Sequence, residues 1–379
     1  MQQFDQRNRL VALLSAVAAL LLAVLLATSP TTARADKLDD NLQTVWESLW
    51  DQRGLPQRLS RWEQTVTFSV TGHDAANHRP LIVKAVQAAA NASGVATFES
   101  TMPADSTQTA VLQFEIYKDA DLPDGQPCVT FSRRGPNFML SKVTVKIRTK
   151  DAWRCTFHEV MHAWGILGHP SGKTVLSYFP YRRDQLMPMD QLMLKAWYSP
   201  VLKSGATPIE ALQYLSSVVA AQPDLDIAPA LAIQRTAEFN NQKIEELRAL
   251  ASGKGEVPAI VKRSGRASEA VMLESQLWAG YFLGSAYLRG TIVPGNPKIA
   301  NEWLKASAEK GHSPSQVLFA RALTRGLGVE KDIAAARAWL TLAAKSGNTV
   351  AQAELLALDG MALKESLGTN NEKSQPAVD

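Results

Sequence analysis

Cysteine is nearly absent, with Cys128 and Cys155 the only two in 379 residues. That excludes a disulfide-dense small scaffold and a four-cysteine zinc or iron–sulfur module. An excess of one charge is missing too, since 40 Lys and Arg face 36 Asp and Glu for a net +4. Basic residues gather only around Lys262, Arg263 and Arg266. Nothing here has the electrostatic footprint of a nucleic-acid binder. Histidine is scarce, at six. Long apolar runs are confined to Leu10–Ala27. What remains is ordinary globular material, 46% apolar and long enough for two domains.

Arg7 and Arg9 precede that apolar run, and Ala33-Arg34-Ala35 follows it. The pattern predicts a secretory signal peptide over residues 1–35, cleaved before Asp36. The run is also about long enough to span a bilayer, so an uncleaved anchor is the competing expectation. Cleavage makes the protein periplasmic or extracellular. Retention makes it an inner-membrane protein facing the periplasm.

Three of the six histidines fall in one short stretch, His158-Glu159-Val160-Met161-His162-Ala163-Trp164-Gly165-Ile166-Leu167-Gly168-His169. On a helix, residues four apart lie about 6 Å along the axis and on one face. His158 and His162 therefore project together, close enough to share one ion. Zinc takes neutral imidazole nitrogens at about 2.0–2.1 Å and, in a catalytic site, leaves a position open to water. Glu159 lies beside that position as a general base. Gly165 allows the helix to stop and the chain to turn back, which brings His169 into range as a third ligand. His73, His78 and His312 lack ligand spacing and read as surface or loop histidines.

This stretch resembles the metzincin zinc peptidases, whose pattern is H-E-x-x-H-x-x-G-x-x-H. The match runs through Gly165. The family's third histidine position holds Gly168, and the histidine comes one residue later, at His169. The resemblance also implies a methionine-containing turn beneath the metal. Thr174-Val175-Leu176-Ser177-Tyr178 stands there, with Val175 or Leu176 in place of the methionine. An aspartate-led helix follows in the family, and Asp190 to Tyr198 matches it. Tyr178 is a candidate to stabilise an oxyanion, with a packing role as its alternative. Arg61-Trp62-Glu63, Cys155 and Trp197-Tyr198-Ser199-Pro200 are similar to an uncharacterised bacterial metzincin-like family. Export and an even cysteine count favour a Cys128–Cys155 bridge. Cys155 also sits one turn before His158, so a metal role is its alternative.

The order of elements fits that resemblance. Leu42, Val45, Trp46 and Leu49 predict a leading helix, and Thr65–Val70 a strand. Leu81–Ala92 reads as a helix ending near Gly94. Val111–Tyr117, Val129–Ser132 and Lys142–Arg148 read as strands, and Asp151 as the N-cap of the metal helix. Helices follow at Pro208–Ala221 and Ala228–Ser252, with a linker over Gly253–Ser268.

The C-terminal region repeats. Leu283-Gly284, Tyr287 and Gly290 correspond to Phe319-Ala320, Leu323 and Gly326. Ala300, Trp303, Leu304, Ala308 and Gly311 correspond to Ala336, Trp339, Leu340, Ala344 and Gly347, a period of 36 residues. This resembles Sel-one-like repeats, relatives of tetratricopeptide helix pairs. A partial third unit starts at Ala351-Gln352. Trp278, Trp303 and Trp339 are expected to pack between helices.

The expected fold class is α+β: a metzincin-like domain of mixed twisted sheet and active-site helix, then an all-α repeat solenoid. The expected organisation is a signal peptide 1–35, a zinc peptidase domain 36–205 and a connector and linker 206–268. Repeats at 269–362 and a disordered tail 363–379 complete it. The expected function is zinc-dependent hydrolysis of a protein or peptide substrate. His158, His162 and His169 would be the Zn2+ ligands, and Glu159 and Tyr178 the catalytic residues. The repeats would recruit an envelope protein partner. No nucleic-acid partner is expected, and membrane contact only if the N-terminal segment stays. The alternative is an inactive envelope scaffold or assembly protein that works through its repeats.

Overall fold

The structure is a computed structural model. It describes residues 30–100, 110–118, 126–177, 184–254, 257–263, 269–290 and 293–372. Tyr178 and the apolar run Leu10–Ala27 lie outside the described residues. Among the described residues, no helix is long and apolar enough to cross a membrane.

The N-terminal half is built on one mixed sheet. Its strands are β1 (Val66–Gly72), β2 (Thr97–Glu99), β3 (Leu112–Tyr117), β4 (Cys128–Arg134) and β5 (Leu140–Arg148), in the order β2-β1-β3-β5-β4. β1, β2, β3 and β5 run parallel, and β4 runs antiparallel along the outer side of β5. Alternation decides the faces. Leu112, Phe114 and Ile116 on β3, and Val143, Val145 and Ile147 on β5, point into the core. Gln113, Glu115 and Tyr117 turn the other way and stay half-buried.

Helices α1 (Pro30–Ser48), α2 (Ala75–Ser93), α3 (Ala152–Ala163) and α4 (Pro188–Trp197) cover the core. Leu38, Leu42, Val45, Trp46 and Leu49 form the buried apolar face of α1. α2 begins six residues earlier than the pattern predicts. Pro80, expected to lie just before the helix, sits inside it. The lost N–H is tolerated because the first turns are exposed to water.

α5 (Pro208–Ala220) opens with a reciprocal cap, in which Thr207 Oγ1 accepts from Glu210 N and Glu210 Oε2 accepts from Thr207 N. α6 (Pro229–Ser252) follows. The segment expected as a linker is docked over part of its length. It contains α7 (Ala259–Arg263), whose Ile260 and Val261 are buried, with Val261 against Gly54.

Paired helices make up the C-terminal region: α8 (Glu269–Arg289) with α9 (Pro297–Glu309), and α10 (Ser313–Arg325) with α11 (Ile333–Lys345). α12 (Thr349–Glu372) closes the stack. It continues past the tail boundary expected at 363, because Ala362, Leu363, Lys364 and Glu365 are all good helix formers. Trp339 packs between helices as expected, whereas the Trp278 stack lies within its own helix α8. Trp339 meets Phe319 edge-on, and Trp278 stacks on Phe282. His312 departs from its surface reading. It is buried under Trp278 and Tyr281, bonded through Nδ1 to Ser315 Oγ, and burial lowers its pKa to about 4.

The two regions share one apolar core. It runs without a break from Leu38 to Ala300, so α8 packs as part of the sheet domain. A smaller core from Leu304 to Leu358 belongs to the repeats alone. Arg58 joins the halves, with Nη2 donating to Tyr281 Oη at 2.5 Å, and Ser275 Oγ donates to Gly54 O at 2.6 Å.

Candidate metal centre

α3 carries His158 and His162 one turn apart. Asp151 takes the N-cap position, but its carboxylate accepts from Arg154 and pairs in charge with Arg148 and does not cap the helix N–H groups. Beyond Ala163 the helix stops. Gly165 has φ +93°, and a Cβ there would lie 2.0 Å from Ser60 O. Any other residue would be strained and would collide with backbone. Residues 166–170 then run back without helix or strand and deliver His169. Gly168 is pressed on α1, where a Cβ would lie 2.4 Å from Glu47 O. No side chain fits there, and the imidazole follows at the next residue, His169.

The three rings converge. His158 Nε2 is 3.1 Å from His162 Nε2 and 3.1 Å from His169 Nε2, and the third side of the triangle is 3.2 Å. Backbone carbonyls fix two tautomers. His158 Nδ1 lies 2.9 Å from Val175 O, and His162 Nδ1 lies 2.7 Å from Ile166 O. A carbonyl only accepts, so both Nδ1 atoms carry the proton and both Nε2 atoms offer lone pairs. Two lone pairs facing each other at this distance repel unless a cation lies between them. Zinc–nitrogen bonds of about 2.0–2.1 Å at tetrahedral angles set ligand nitrogens about 3.3 Å apart. The donor set fits that ion.

The electrostatics agree. Burial, then the neighbouring His158 and His169, holds the His162 pKa well below the usual imidazole range. Burial, then His158, lowers that of His169 to about 3. Both stay neutral at ordinary pH, the form a metal requires.

Glu159 is buried, and its Oε2 accepts from Thr130 Oγ1 of β4 at 2.6 Å. Burial raises its pKa, against smaller opposing effects of His158 and the Thr130 hydroxyl. A bridge joins Cys128 at the start of β4 to Cys155 on α3, with Cα atoms 6.2 Å apart. Strand and helix are therefore stapled twice. The bridge settles the alternative for Cys155, which is not a metal donor.

The turn below the triad is held by Asp190. This fully buried carboxylate accepts from Val175 N at 3.1 Å and Met187 N at 2.8 Å. It fixes the residue whose carbonyl orients His158. The Arg61-Trp62-Glu63 and Trp197-Tyr198-Ser199-Pro200 motifs turn out to be one structural unit. Arg61 Nη1 donates to Ser199 O at 2.8 Å, and Arg61 Nε to Glu63 at 2.8 Å. Trp62 Nε1 donates to Ala163 O at 2.9 Å and Tyr198 Oη to Trp164 O at 2.9 Å. Together they satisfy carbonyls left open at the C-terminus of α3.

His158, His162 and His169 are thus brought to one place, with Glu159 buried on the same helix between the first two. Among the described residues, that triad is the one group of three or more His, Cys, Asp or Glu side chains placed to hold a metal ion. Thr130 and the carboxylate of Glu47, described below, gave no signal in the sequence. Asp190 gave a partial one, as the expected leading residue of a helix that in fact opens two residues earlier, at Pro188.

Comparison with known proteins bears on the other end of the chain. Residues 279–312 and 314–348 match the Sel1 repeat family. Among solved structures, the chain is similar to a Sel1 repeat protein from Oxalobacter formigenes at 24% identity. That match covers 45% of this chain and 55% of the other, with a TM-score of 0.22. It is also similar, at 17% identity, to a protective antigen present in uropathogenic Escherichia coli strains and displaying an SLR fold. Here 56% of this chain and 49% of the other are covered, with a TM-score of 0.23. The chain spans about half the length of each of these structures. No curated protein matches it. The paired helices of the C-terminal region contain two Sel1 repeats.

Proposed function

We propose that this chain is an exported, zinc-dependent peptidase of the metzincin-like kind, and that its Sel1 repeats bind a protein. The observation that carries the reading is the Nε2 triangle of His158, His162 and His169, with two tautomers set by backbone carbonyls. Sheet order and the antiparallel outer strand β4 are in keeping with it. The disulfide favours an oxidising compartment.

A zinc ion held by the three imidazoles supplies Lewis acidity toward a carbonyl and toward water. The chain's own residues do the rest. Glu159 receives the proton of the attacking water and passes it to the leaving amine. Thr130 holds Oε2, which leaves Oε1 as the atom to carry that proton. Burial raises the proton affinity of this carboxyl, which suits a group that must both accept and release. The outer edge of β4 offers backbone groups to an extended polypeptide.

The test is metal content and peptide hydrolysis of purified wild type, Glu159→Gln and His162→Ala. One zinc per chain is expected in wild type and in Glu159→Gln, with weakened binding in His162→Ala. Turnover in Glu159→Gln is expected to fall by about 10²–10⁴-fold. Metal held by wild type without hydrolysis on a broad peptide panel would refute catalysis and favour a scaffold.

A further inference from the structure

His158 and His162 take their places from one rigid helix. His169 does not, because residues 166–170 form neither helix nor strand. Something outside that segment has to set its position. The last turns of α1, more than a hundred residues earlier in the chain, do so at three points. Gly168 rests on Glu47 and Ser48, where a Cβ would lie 2.4 Å from Glu47 O and 2.6 Å from Ser48 Cα. Gly172 rests on Thr44, where a Cβ would lie 2.0 Å from Oγ1. Between these contacts stands the Glu47 carboxylate, 1% exposed. Its Oε2 accepts from Ser171 N at 2.6 Å and Ser171 Oγ at 2.9 Å, and its Oε1 accepts from Gln43 Nε2 at 2.8 Å.

A buried carboxylate is unfavourable unless its lone pairs are met by donors. Here those donors include both polar groups of the residue two positions beyond the third ligand. Bonds to an ionised acceptor are short and directional, so they fix a loop more tightly than apolar packing does. The geometry points to Glu47 as the positioning residue of the third metal ligand. Through Ser171 it holds the 168–172 loop where His169 Nε2 meets the other two nitrogens. This rests on the metal-binding reading above.

A glutamine at 47 keeps the shape but turns one oxygen into a donor. It then loses the charge that strengthens both bonds from Ser171, and the Gln43 amide must turn over to accept from it. The test measures Zn2+ and Co2+ affinity of the full chain by competition with a chromophoric chelator. The variants are Glu47→Gln, Ser171→Ala and, as control, Glu210→Gln, which removes a carboxylate that caps α5. Metal-free melting temperatures are recorded for all. Glu47→Gln is expected to bind at least ~10-fold more weakly than wild type, as outer partners of metal ligands commonly show. The Co2+ visible band is expected to shift with the changed ligand set. Ser171→Ala is expected to lose roughly 5-fold, the worth of one hydrogen bond. Glu210→Gln is expected to lower the melting temperature without changing affinity, which separates positioning from general stability. If Glu47→Gln does not fold, Ser171→Ala decides. Wild type without metal binding overturns the function proposed above and this inference with it. Tight binding by wild type, matched within about 2-fold by the folded variants, overturns the role of Glu47 alone.

Discussion

Removing the Cys128–Cys155 bridge probes how firmly β4 is held to α3. The two residues are 27 apart in sequence. Loop-closure entropy for a cross-link of that span amounts to about 3.5 kcal/mol at 25 °C. Cys155 is buried, so a Cys→Ala change there adds a small packing loss. At about 2–4 °C per kcal/mol for a domain of this size, the melting temperature should fall by about 7–14 °C. The measurement is urea and thermal unfolding of the double Cys→Ala variant against wild type, both treated with chelator so that bound metal does not contribute. A loss below about 1 kcal/mol would mean that the bridge hardly restricts the unfolded chain. Free thiols in the purified wild type would remove the argument entirely.

Other outcomes follow from single contacts. Tyr198→Phe leaves Trp164 O and Trp62 N without their buried partner and should destabilise by about 1–3 kcal/mol, with metal affinity intact; denaturant unfolding checks it. Gly168→Ala drives a methyl group into the Glu47 carbonyl and should weaken metal binding by about 10–100-fold, so unchanged affinity would show that the loop does not bear on α1. Acid should destabilise the metal-free protein. Burial holds the pKa of His312 at about 4 and that of His169 at about 3, while unfolded imidazole protonates near 6.5. The unfolded chain therefore binds more protons in that window. Stability should fall from about pH 6.5 downward by roughly 1.4 kcal/mol per unit for each such histidine. His312→Asn should flatten this dependence, and an unaltered slope would contradict it.

The helix that carries His158 and His162, and the return of His169 to it, were legible because they obey local geometry. Two histidines four apart share a face on any helix, and Gly165 marks where that helix must end. The repeats were legible through their period, and β3 and β5 through alternation. Short or irregular pieces escaped. β2 has only Thr97–Glu99, too few residues to show a pattern. Glu47 meets Ser171 across 124 residues, and Thr130 meets Glu159 across 29. No spacing rule links such pairs, since only the folded backbone brings them together. His312 misled for the same reason. Its neighbours in sequence are polar, and its burial comes from Trp278 and Tyr281 on another helix.

The unbroken core from Leu38 to Ala300 has a consequence for the repeat array. A solenoid normally has two ends, each needing its own polar cap. Here α8 serves the first repeat and the sheet domain at once, so that end is sealed and only the α12 side can grow. Lengthening by further units would extend a rod from a fixed base, at a set bearing to the histidine triad, and the number of units would act as a ruler.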